Sequence, residues 1–170
     1  MSAVAEKLCT GCGLCCNGSL FAEVELASRR EALRLETMGL AIDDSDDDSA
    51  TPLLIQPCAA LKNKRCAIYP HRPNCCRTFE CRILQSVQRG FMTVDEAETQ
   101  IARAHNEIRR LKNLLKQFPI AAGQQHLSLK ERVQDTVDIA TKSSSAERAK
   151  LESAFESLEL FLQNTFLTGP

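Results

Sequence analysis

The chain has 170 residues, with 44% apolar and 25% charged, and 21 Lys and Arg against 22 Asp and Glu for a net charge of −1. That is the make-up of a globular chain of one domain or slightly more, and it excludes a mainly disordered protein. Balanced charge, no Trp and a single Tyr argue against a nucleic-acid partner, and no apolar run approaches the roughly 20 residues that span a membrane.

The first twenty residues read as a loop rich in Gly and Cys, with Gly11, Gly13 and Gly18 between the thiols. Their lack of an apolar signal core predicts a cytoplasmic protein. Residues 24–38 carry a helical pattern, and Gly39 is placed as a left-handed stop. Asp43-Asp44-Ser45-Asp46-Asp47-Asp48 follows. It lacks the turn glycine and closing glutamate of a calcium loop, so a solvated loop is expected. Residues 51–57 and 65–69 are short apolar runs that could pair as a hairpin around Cys58 and Cys66, and Tyr69-Pro70-His71-Arg72-Pro73 reads as a rigid turn.

The remainder reads as helix. Thr93-Val94-Asp95-Glu96 is a capping box, followed by Ala97, Ile101, Ala104, Ile108, Leu111, Leu115 and Phe118 at helical spacing up to Pro119. Ser128-Leu129-Lys130-Glu131 and Ser144-Ser145-Ala146-Glu147 open two more helices, with 143–145 as the loop between them. The expected fold is therefore mainly α with a small β-hairpin. A metal-stapled cysteine-rich half (1–90) packs against a helical half (91–170), in one compact unit.

The chemistry lies in the cysteines. All nine fall within the first 81 residues: Cys9, Cys12, Cys15, Cys16, Cys58, Cys66, Cys75, Cys76 and Cys81. An odd count, no signal segment and a chain too long to need staples argue against a disulfide scaffold. Cys9-Thr10-Gly11-Cys12-Gly13-Leu14-Cys15-Cys16 is a C-x2-C-x2-C-C run. Such spacing aims several sulfurs at one ion and lets backbone N–H groups donate to the thiolates. It is similar to the first three ligands of bacterial ferredoxins, whereas zinc ribbons use isolated C-x2-C pairs. Adjacent Cys15 and Cys16 diverge, so one could close a first site while the other opens a second. From Cys58 to Arg82 there are six cations, Lys62, Lys64, Arg65, Arg72, Arg77 and Arg82, against Glu80. They could offset buried thiolate charge or form a solvated face for a partner.

The run, with Cys58, Cys66-Ala67-Ile68-Tyr69, Arg72-Pro73 and Cys76-Arg77-Thr78-Phe79-Glu80-Cys81, resembles the YkgJ-type CxxCxxCC cysteine-cluster family over residues 9–81. The resemblance implies a zinc- or iron-chelating domain with eight characteristic cysteines; a similar cluster accompanies flagellin lysine methylases, where it is iron–sulfur. It implies Cys9, Cys12, Cys15, Cys16, Cys58, Cys66, Cys76 and Cys81 as metal ligands and Cys75 as an extra. Lys64-Arg65 stands where the family usually has a glycine before Cys66.

His71 sits in the proline turn, and His105 and His126 are expected at a helix surface and in a loop. The expected cofactor is an iron–sulfur cluster, of the 4Fe–4S type, or zinc, with a protein partner possible and neither nucleic acid nor membrane. A zinc-stapled interaction module without catalysis is the alternative, and a thiol–disulfide enzyme a third. Radical S-adenosylmethionine chemistry is excluded, because Ser19 stands where the third cysteine of C-x3-C-x2-C would be.

Overall fold

The computed structural model describes residues 3–44, 51–118, 126–139 and 145–167. The chain divides into two compact units. A cysteine unit holds residues 9–79 and 126–128, and a helical unit holds 1–8, 80–125 and 129–170. No helix among the described residues is long and apolar enough to cross a membrane.

The expected N-terminal loop holds over residues 13–20, whereas Ala3–Cys12 is helix α1, which runs through Gly11. Residues 24–38 are only partly helical. Strand β1 is Glu23–Glu25 and helix α2 is Arg29–Thr37. Glu23-Val24-Glu25-Leu26 alternates polar with apolar, a period of two that favours a strand. Ser28 then caps α2 by accepting the Glu31 N–H, and Gly39 follows with φ +81, as expected for the stop.

The expected pairing of 51–57 with 65–69 does not form. Strand β2 is Ile42–Asp43 and strand β3, Leu53–Ile55, lies between β1 and β2 in an antiparallel sheet. Val24 and Ile42 both face Leu54 across the ladders. Strands β4, Leu61–Lys62, and β5, Arg65–Cys66, make their own hairpin over Asn63-Lys64. The sheet and α2 enclose a core of Leu26, Ala32, Leu35, Leu40, Leu54 and Ala60, with Cys58, Cys66, Ile68 and Cys75 packed against it. Tyr69–His71 is one 3-10 turn and α3 spans Asn74–Thr78. Of the acidic run, Asp43 closes β2; residues 45–48 lie outside the described residues.

In the helical unit, α4 is Arg82–Gln88, α5 Val94–Leu115, α6 Leu129–Ile139 and α7 Ser145–Leu162, followed by a π turn at Gln163–Leu167. Thr93 and Glu96 form the expected capping box: the Thr93 hydroxyl accepts the Glu96 N–H, and Glu96 accepts the Thr93 N–H at 2.7 Å. The predicted stripe is buried at Ala97, Ala104, Ile108, Leu111, Leu115 and Phe118. Helix α7 packs on α5 and α6 through Leu151, Leu158 and Leu162, with Phe166 buried beyond them. The Pro119 stop, Ala140 and the Ser144 cap lie outside the described residues.

Candidate metal centre

Backbone bonds join the cysteine-bearing segments of the cysteine unit. The Cys16 N–H donates to the Gly13 carbonyl at 3.1 Å, turning the chain within the cysteine run. The Cys58 N–H donates to the Cys16 carbonyl at 2.8 Å, and the Leu61 N–H to the Cys58 carbonyl at 2.9 Å. Leu61 pairs directly with Cys66 across the hairpin. Gly13 has φ +68, and a Cβ there would lie 3.1 Å from the Lys64 carbonyl oxygen. Only glycine allows both that backbone and that approach.

Helix α3 brings up Cys75 and Cys76. Its first N–H, on Asn74, donates to Glu31 Oε1 at 2.9 Å, while Glu31 Oε2 accepts the Ala27 N–H at 3.0 Å. One α2 carboxylate thus ties the start of α3 to the core. Arg77 braces the preceding turn, its Nε donating to the Arg72 carbonyl at 2.8 Å and its Nη2 to that of Pro70 at 3.2 Å. The Arg72 guanidinium lies over the Tyr69 ring at 3.9 Å, and Phe21 meets Phe79 edge-on at 5.2 Å.

All nine cysteines are free thiols, with Cys9 exposed and the others part-buried. Burial and neighbouring thiols set their acidities. Burial first, then the charges of Cys58, Cys66 and Cys12, pushes Cys16 up to about 12, against the opposing pull of Arg72. Burial also raises Cys58, with Cys66 adding to it, while the backbone N–H groups of Ala60 and Leu61 oppose. Cys76 is raised by its contact with Cys75, whose Sγ is 4.0 Å away, then by burial, then by Cys75, Cys16 and Cys58 as charges. The same contact holds Cys75 below the usual thiol range.

Six thiols therefore act on one another within this unit: Cys12, Cys16, Cys58, Cys66, Cys75 and Cys76. Among the described residues, no three His, Cys, Asp or Glu side chains are drawn in tightly enough to close a ligand shell. Cys9 and Cys12 lie one turn apart on α1. Cys81 belongs to the helical unit as the residue before α4, raised by burial against the N–H groups of Leu84 and Ile83. His71 and His126 are exposed and His105 is part-buried.

The donor set fits a thiophilic metal. Crowded, desolvated thiols repel one another as anions, and a bound cation is what relieves that repulsion. A reactive-thiol enzyme needs the opposite, a stabilised thiolate at a helix N-terminus or beside cations. Cys16, Cys58 and Cys76 are shifted the wrong way, Cys75 is lowered first by its neighbour Cys76 and by no cation, and Cys9 and Cys12 occupy the C-terminal end of their helix, the negative end of its dipole.

The model of the CxxCxxCC family, described as a "putative zinc- or iron-chelating domain", matches residues 8–109. This chain belongs to the CxxCxxCC family. No curated protein and no solved structure matches it. The CxxCxxCC match starts one residue before Cys9 and runs past Cys81 into α5, so it takes in all nine cysteines. Glu31 escaped the sequence reading, although Ser28-x-x-Glu31 carries the capping-box signature.

Proposed function

We propose that this CxxCxxCC protein holds iron as an iron–sulfur cluster on cysteine thiolates, for redox, cluster-dependent modification or metal handling. The observation that carries this reading is the meeting of thiols from three separate stretches: Cys12, Cys58 and Cys66 act on Cys16, and Cys16 and Cys58 act on Cys76. The tandem C-x2-C-x2-C run is the pattern ferredoxin clusters use, whereas zinc ribbons are built from isolated C-x2-C pairs. A bound cluster would supply one-electron chemistry. This chain's own residues would hold and orient it, with Arg72 offsetting thiolate charge and the Ala60 and Leu61 N–H groups donating to Cys58. The ligand set to test is Cys9, Cys12, Cys15, Cys16, Cys58, Cys66, Cys76 and Cys81.

A zinc-stapled structural module is the second reading. The small core of the cysteine unit, a cluster of six buried apolar residues with Leu14 buried besides, favours it, since such a unit gains folding energy from a metal. Anaerobic purification followed by a visible spectrum and metal and sulfide analysis separates the two. Broad absorption near roughly 400 nm with acid-labile sulfide supports the cluster. A colourless protein with stoichiometric zinc refutes it in favour of the structural reading.

A further inference from the structure

The β4–β5 hairpin carries three cations in an arrangement that costs the fold stability. Its register sets Leu61 opposite Cys66 and Lys62 opposite Arg65. Neighbouring strand residues face opposite ways. Accordingly Leu61 and Cys66 are part-buried, whereas Lys62 and Arg65 are exposed. Two like charges directly opposed on one face repel. The turn between them adds a second penalty. Asn63 has φ 49 and Lys64 has φ 67, the left-handed pair of a tight hairpin turn, whose second position strongly favours glycine. A lysine there is strained and exposes a third charge.

Nothing among the described residues compensates. Among the described residues no hydrogen bond or ion pair engages the side chains of Lys62, Lys64 or Arg65. The hairpin also has a fixed position, because the Lys64 backbone lies against Gly13, inside the cysteine run. Strain and repulsion retained at a rigid tip beside a site are the mark of a group meant for something outside the chain.

We propose that Lys62, Lys64 and Arg65 form a docking tip for an acidic protein surface, which brings a partner up to the cysteine site. A convex turn offers a surface to dock on and does not enclose a small anion. Residues 61–66 contain no ring to stack a base and the whole chain is at −1, so an acidic protein fits better than a nucleic acid. The purpose of the docking rests on the metal-binding reading; the docking itself does not.

The test uses the full-length, metal-loaded protein with a fluorescent decaglutamate peptide as probe and a twelve-residue oligothymidylate in parallel. Anisotropy should show peptide binding that weakens with salt, and carbodiimide cross-links should map to Lys62 and Lys64. K64G should raise the melting temperature while weakening the peptide about threefold, and K62Q/K64Q/R65Q should weaken it about thirtyfold. Metal content should stay unchanged in both variants. Undiminished peptide binding by the triple variant, cross-links confined to other lysines, or tighter binding of the oligothymidylate through these residues would overturn the proposal. A wild-type protein that takes up neither iron nor zinc yet still binds the peptide would sink the metal reading and leave the docking tip standing.

Discussion

The metal-free protein should lose stability with rising pH over the same range in which its metal affinity climbs. Cys16 is pushed up to about 12 from an ordinary 9.0, by burial and by Cys58, Cys66 and Cys12. A thiol with a higher pKa in the fold than in the open chain holds its proton more tightly when folded. Its contribution is therefore complete below pH 9 and is lost as pH rises towards about 12. Between pH 8 and pH 10 Cys16 alone should remove about 1.4 kcal/mol, with Cys58 and Cys76 acting in the same direction. Metal needs the thiolate, so each proton it displaces makes its affinity rise about tenfold per pH unit below the thiol pKa. Urea midpoints of reduced, metal-free protein at pH 8 and pH 10 measure the first effect, and zinc titration against a competing chelator measures the second. Cys16→Ser isolates the contribution of this thiol. Equal pH slopes for wild type and Cys16→Ser would refute the reasoning.

Glu31→Ala removes the acceptor that joins the Asn74 and Ala27 N–H groups; it should cost about 1–2 kcal/mol and speed zinc loss to a chelator, read by thermal melting and stopped-flow. Gly18→Ala should destabilise by about 1–3 kcal/mol, since φ is +74 and the new Cβ would lie 3.1 Å from Ser128 Cα; Gly39→Ala, with φ +81 and nothing within 4 Å, should cost less, and equal losses would remove the contact argument. Thr93→Ala breaks the α5 capping box and should cost about 1 kcal/mol by denaturant melting. Chelation of the metal should lower hydrogen-exchange protection across residues 9–79 and leave that of α5 and α7 largely intact.

The helical elements were readable because their signals are local. Thr93 and Glu96 announce the start of α5, and the 3.6-residue stripe ending at Phe118 names its buried face. The strands were not, because two- and three-residue strands carry too little pattern. Leu53–Ile55 looked ready to pair with residues 65–69, yet its partners are Val24 and Ile42, which only the tertiary fold brings alongside. Hairpin β4–β5 was hidden because Asn63-Lys64 lacks the glycine that marks such turns. At the candidate site, spacing picked out the cysteines, since metal chemistry restricts residue type and interval together, while Arg72 stood out only as one of six cations between Cys58 and Arg82. Spacing passed over Glu31, because a carboxylate holding a backbone N–H of a helix 43 residues away leaves no periodic trace.

The cysteine unit is closed by residues 126–128, with Ser128 buried and its Cα against Gly18. During synthesis the segment carrying Cys9 to Cys76 emerges well before that strap. About fifty residues separate position 79 from position 128, roughly 3–10 s of elongation at ~5–20 residues per second. Through that interval the thiols are already made, and Gly18 still lacks the Ser128 neighbour that packs against it. The cysteine unit therefore cannot be completed until residues 126–128 have been made.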